Sequence, residues 1–136
     1  MNKSGIGLRF ALLAVVVVLF TGFISIRSDV AFAADAVQAR KDIKAMGMEY
    51  NGQEFAKVAG NGDMTAVKLF LDAGMDVNEG GSAAIGVAAG RGKTEMVKFL
   101  LAKGSKATSN ALQYARTRGY KDIEQLLVAA GETDNK

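Results

Sequence analysis

The sequence predicts an all-α protein: a solenoid of about three helix-turn-helix repeats behind an N-terminal helical cap. Three observations carry this. The first is self-similarity: FAKVAGNGDMTAVKLFLDAGMDVN, from Phe55, lies over IGVAAGRGKTEMVKFLLAKGSKAT, from Ile85, at a shift of 30 residues. Val58/Ala88, Ala59/Ala89, Gly62/Gly92, Val67/Val97, Leu71/Leu101 and Gly74/Gly104 coincide. A third copy, LQYARTRGYKDIEQLLVAAG from Leu112, follows at a shift of 27 and sets Ala115, Gly119, Ile123, Leu127 and Gly131 on Ala88, Gly92, Met96, Leu100 and Gly104. The second observation is that each copy holds two apolar stretches of helical spacing, the first with small residues (Ile85, Ala88, Ala89), the second with larger ones (Met96, Val97, Leu100, Leu101). The third is punctuation by glycine between and after these stretches.

Taken in order, residues 1–33 read as a signal peptide. Lys3 and Arg9 precede an apolar run of 17 residues from Phe10 to Ile26, and RSDVAFA ends in the small-x-small triplet Ala31, Phe32, Ala33. Cleavage is expected between Ala33 and Ala34. The alternative for the same segment is an uncleaved membrane anchor, since the run is slightly shorter than the roughly 20 residues that span a bilayer. Residues 34–51 form the cap and its linker, in which ADAVQARKDIKAM is an amphipathic helix offering Val37, Ile43 and Met46 to the first repeat. Asn51 and Glu54 are spaced as a capping box for the next helix.

The repeats then occupy residues 52–80, 81–108 and 109–131. Gly62, Gly92 and Gly119 separate first from second helices, and Asp63 is placed to cap the second helix of the first repeat. Gly74, Gly104 and Gly131 are expected where second helices end in a left-handed residue. The remaining GETDNK, residues 132–136 with Gly131, is polar and expected to fray. No unit can bury its apolar surface alone, so the units must stack.

This pattern resembles the ankyrin repeat. Its AAxxG element appears as Ala88, Ala89 and Gly92, its VxxLLxxG element as Val97, Leu100, Leu101 and Gly104, and LFLDAGMDVN (Leu69 to Asn78) is similar to the second half of the family's unit. The likeness runs over about residues 53–131. It implies antiparallel helix pairs and a protein that binds other proteins without catalysis. The family's TPLH is replaced by Ala83, Ala84, Ile85, Gly86 in the second repeat and by Asn110, Ala111, Leu112, Gln113 in the third, so looser turns are expected. Periods of 30 and 27 against the family's roughly 33 imply shortened fingers between repeats.

The chemistry available is narrow. Cys and His are absent from all 136 residues, which removes thiolate nucleophiles, imidazole bases and nearly all zinc or copper ligand sets. No catalytic residue, cofactor or metal site is predicted. Gly92, Lys93 and Thr94 resemble the end of a phosphate-binding loop, but that motif needs a glycine at position 87, which is Val, and a buried strand before it. The segment also lies in phase with VAGNGDMTAV, which marks it as an inter-helix turn.

Partner-binding residues are therefore sought on the surface. After loss of residues 1–33 the chain would carry 14 basic and 13 acidic side chains, with residues 91–121 at a net charge of +7 between two stretches of −3 each. Arg91, Lys93, Arg116, Arg118 and Lys121 fall near successive inter-helix turns and could form a strip facing an acidic protein or anionic head groups. By the family resemblance, Glu79, Ser82 and Val87 in the second repeat and Lys106, Gln113 and Tyr114 in the third would face the concave side. Nucleic acid is not expected, because export removes the chain from it and no aromatic platform interleaves the charges. A membrane contact follows only if residues 1–33 are retained.

Overall fold

A computed structural model describes residues 30–133; the predicted signal segment up to residue 29 and the end of the polar tail lie outside the described residues. The chain divides into two units, Met1–Asp35 and Ala36–Lys136. Of the first, residues 30–35 are described, and they are helical and exposed. All described elements are helices: α1 (residues 30–45), α2 (Gly52–Asn61), α3 (Met64–Asp72), α4 (Glu79–Gly90), α5 (Thr94–Ala102), α6 (Ser109–Arg118) and α7 (Lys121–Thr133).

Local signals fix the ends of several helices. The Asn51 side chain accepts from Glu54 N–H at 2.8 Å, Asp63 from Ala66 N–H at 2.9 Å, and Thr108 Oγ1 from Ala111 N–H at 3.2 Å, so α2, α3 and α6 are capped. The capping box at α2 is only half formed, because the Glu54 carboxylate turns to Lys57 Nζ at 2.9 Å instead of back to Asn51. Gly62 and Gly119 end α2 and α6 in the left-handed region, with φ of 78° and 77°. Gly131 departs from the expected pattern. It lies inside α7, which runs on to Thr133, so it ends no helix and the start of the tail is helical.

The pairs α2/α3, α4/α5 and α6/α7 each form a hairpin, and the hairpins stack in sequence, α2 on α4 on α6 and α5 on α7. The stacking is closest among the first helices, where Ala59, Ala88, Ala89, Ala111 and Ala115 are buried. Larger side chains of the second helices, Val67, Phe70, Met96, Val97, Leu100, Ile123 and Leu127, fill the layer behind them. Each such side chain contributes about 1.5–3 kcal/mol through burial, and none could be covered by its own hairpin alone.

At the N-terminal end, α1 closes the stack with Ala39 and Ile43, one turn apart. Of the three residues expected to do this, only Ile43 does; Val37 and Met46 remain exposed. Six residues of helix rotate Val37 well away from the Ile43 face, and the chain has already left the helix at Met46. The contact is fixed by polar groups. Arg40 lies 4.6 Å over the Tyr50 ring, and both Arg40 Nε (3.2 Å) and the Tyr50 hydroxyl (3.0 Å) donate to the Ala73 carbonyl at the end of α3. Tyr50 in turn stacks on Phe70, with ring centroids 5.8 Å apart.

The start of α4 replaces the expected loose turn with a tied one. Gly80, Gly81 and Ser82 all take left-handed angles, φ 64°, 69° and 64°. For Ser82 this costs on the order of 1–2 kcal/mol. Asn78 holds the turn: its Oδ1 accepts from Ser82 Oγ (2.8 Å) and Lys106 N–H (2.9 Å), while its Nδ2 donates to the Gly104 carbonyl (3.1 Å). One side chain thereby ties the entry of the second repeat to the exit of α5.

Candidate functional site

The repeat period places equivalent residues of α2, α4 and α6 side by side, and those facing away from the second helices line the inner surface of the stack. Between α2 and α4 this surface forms an open groove of about 620 Å³, lined by Gly52, Gln53, Ala56 and Lys57 from α2 and by Glu79, Gly80, Ala83, Val87 and Arg91 from α4. Two glycines let α4 side chains lie close against α2: a Cβ on Gly60 would lie 2.4 Å from Val87 Cγ1, and one on Gly52 would lie 2.8 Å from Glu79 Cγ. Glu79 lies beside Gly52 at one end of the groove, and Arg91, whose Cδ would be 3.2 Å from a Cβ on Gly60, lies at the other.

Three residues singled out from the sequence, Glu79, Val87 and Arg91, come together here. The α2 side was not anticipated, although the period contains it, since Gln53 and Lys57 are Ala83 and Val87 displaced by 30 residues. Ser82 is not on the surface. It is 4% exposed, and its hydroxyl is directed at Asn78 by the left-handed turn, which removes it from the partner-facing set. Lys106 and Gln113 are exposed outside the groove, and Tyr114 is 48% exposed while its ring covers Gly90.

The predicted basic strip has a different character from that expected. Arg91 lies over Gly60 and donates from Nη1 to Asn61 Oδ1 at 2.7 Å; one repeat later Arg118 donates from Nη1 to the Gly90 carbonyl. The two form the same clasp in the same register, a guanidinium on each first helix gripping the end of the preceding one. Lys93 lays its stem against Gly62, and at the next corner Tyr120 lies against Gly92. Arg116 donates from Nε to Glu124 Oε1 at 2.8 Å, and Lys121 reaches Glu124 Oε2 at 3.2 Å. The hydrogen bonds from these two cations hold the Glu124 carboxyl below its ordinary value. The cations are at successive corners, as the period requires, but they bridge repeats and neutralise Glu124.

The peptide N–H groups of residues 91–94, at the Gly92 corner, are already engaged. The N–H groups of Arg91, Gly92, Lys93 and Thr94 donate to the carbonyls of Val87 and Ala88, Ala89, Ala88 and Gly92 respectively. A phosphate loop needs such groups free and convergent. Among the described residues no group of three or more acidic side chains is placed to hold a metal ion, and no helix is long and apolar enough to cross a membrane.

Searches of curated proteins and of solved structures return no match to this chain. A family model described as ankyrin repeats (3 copies) matches residues 55–136.

Proposed function

The chain belongs to the ankyrin-repeat family, a family of protein–protein interaction modules, and from that premise we propose that it is an exported binding protein that holds another protein on its inner face in the bacterial periplasm. The observation that carries this is the α2/α4 groove. It joins an apolar floor of Ala56, Ala83 and Val87 to exposed polar groups at both ends, the combination that gives a protein interface both burial and register. Stacked hairpins present it without prior ordering, so little conformational freedom is lost on binding.

Export rests on the sequence of residues 1–33, and the burial pattern is compatible with it. Core contacts of α1 begin at Ala39, and residues 30–33, the described ones ahead of the cleavage point, are exposed. The intact mass of the protein from its native host checks this point. A chain beginning at Ala34 is expected, and one retaining Met1 would replace the periplasmic form by the membrane-anchored one.

The binding face is tested by photocrosslinking. A photoreactive residue at Gln53, on the groove rim, is expected to capture a discrete partner protein in the native envelope, whereas the same residue at Gln125 of α7 is not. Crosslinks from Gln125 alone would move the interface to the second helices.

A further inference from the structure

The groove between α2 and α4 is electrically ordered along its length. Glu79 stands at the Gly52 end, and Arg91 stands at the Gly60 end; Lys57, on the wall before it, is paired with Glu54 at 2.9 Å. Gly52 and Gly60 are eight residues apart on one helix, so the two ends are about 12 Å apart. The left-handed Gly80-Gly81-Ser82 turn sets Glu79 against α2, and the absence of a Cβ at Gly52 gives it room.

The floor restricts what can lie there. Ala56 and Val87 are side chains within regular helices, whose peptide groups are engaged there, and Ala83 is the first residue after the left-handed turn. An extended guest would bring peptide N–H and C=O groups to an apolar floor without partners. A helical guest satisfies its own, and small residues below it permit close approach. The end charges then orient it, since a helix carries partial positive charge at its N-terminus and partial negative charge at its C-terminus.

We propose that this groove takes one amphipathic helix of a partner protein, with the helix N-terminus at Glu79 and its C-terminus at Arg91. The proposal rests on the inner face being the protein-binding surface. Within it, the guest's apolar side chains recur at i, i+3, i+4 and i+7 to meet the floor, a basic side chain in its first turn meets Glu79, and an acidic one in its last turn meets Arg91.

The test is a displayed library of alanine-rich helical peptides, with apolar residues varied at those four positions and either sign of charge allowed in the first and last turns. Residues 34–136 serve as bait. Peptides with the basic-first, acidic-last order should be enriched about tenfold over the reverse order, and Glu79→Lys with Arg91→Glu should invert that preference. Because Arg91 also holds Asn61, Glu79→Lys alone is run beside it, and it should abolish the preference for a basic first turn while leaving the helical circular dichroism unchanged. Ala83→Trp, which fills the groove, should lose all selected peptides. Binders that ignore charge order yet disappear with Ala83→Trp overturn the oriented helix and leave the inner face in place. Binders that persist on Ala83→Trp, or the absence of any binder, overturn both.

Discussion

Arg116 and Glu124, paired at 2.8 Å, occupy the register of two fully buried apolar residues. A shift of 27 places Arg116 on Ala89 and Glu124 on Val97, both at 0% exposure beneath the third hairpin. The first hairpin repeats the pattern with Ala59 and Val67, also fully buried. The face that each earlier hairpin uses to receive its successor is thus converted, in the third, into an ion pair. A stacked array needs such a terminus, because an apolar end would accept another copy.

Arg116→Ala combined with Glu124→Val should restore the receiving face. The variant is expected to keep its helical circular dichroism and to self-associate with rising concentration in sedimentation velocity, at concentrations where the parent does not. A variant that sediments as the parent does would show that the pair plays no part in ending the array.

The same pair gives a pH signature. Hydrogen bonds from Arg116 and Lys121 lower the Glu124 carboxyl in the folded state relative to its ordinary value of 4.5. A carboxyl lowered by folding adds stability that is complete above its unfolded value and is lost as pH falls through the folded one. Urea midpoints of the parent and of Glu124→Gln should therefore differ by a constant amount above about pH 5.5 and converge as the medium is acidified below 4.5. A gap that does not change with pH would rule out an ionised Glu124 as its source.

Much of the architecture was legible because a repeated sequence states its contacts several times. The coincidence of Gly62, Gly92 and Gly119 located the inter-helix corners, and Asp63 and Asn51 announced their caps. Less legible was anything that depends on one residue reaching across the period. Arg91 and Arg118 read as free surface charges because their partners, Asn61 and the Gly90 carbonyl, lie in the preceding hairpin. Ser82 read as a surface residue because a left-handed turn outside the helical pattern directs it inward. The α2 wall of the groove was overlooked for a simpler reason: Lys57 does not resemble its register mate Val87, since packing fixes the buried positions of a repeat and leaves its exposed ones free to vary.

Gly92 should be the most sensitive of the corner glycines. Its φ is +69°, and a Cβ there would lie 2.8 Å from the Tyr120 ring. Gly92→Ala is expected to cost about 2–3 kcal/mol in urea unfolding, from the left-handed backbone and the displaced ring together. Adding Tyr120→Ala should recover about 1 kcal/mol of coupling, because it removes the collision but not the backbone strain. Additive effects of the two changes would mean that the ring does not rest on the corner. Lys93→Ala at the same corner should be nearly neutral, and no saturable nucleotide binding is expected before or after it.

The turn at Ser82 separates two opposing effects. Its hydroxyl donates to Asn78 Oδ1 at 2.8 Å, which stabilises the turn, while its φ of 64° opposes it. Ser82→Ala removes the hydrogen bond and keeps the strain; Ser82→Gly removes both. The glycine variant should therefore be about 1–2 kcal/mol more stable than the alanine variant and within about 1 kcal/mol of the parent. Asn78→Ala, which also releases Lys106 N–H and the Gly104 carbonyl, should cost more than either. Its amide hydrogen exchange should accelerate at Lys106 while the middle of α5 stays protected. Equal stability of the alanine and glycine variants would mean that the backbone at Ser82 is not left-handed in solution, and Glu79 would then lose the turn that sets it at the mouth of the groove.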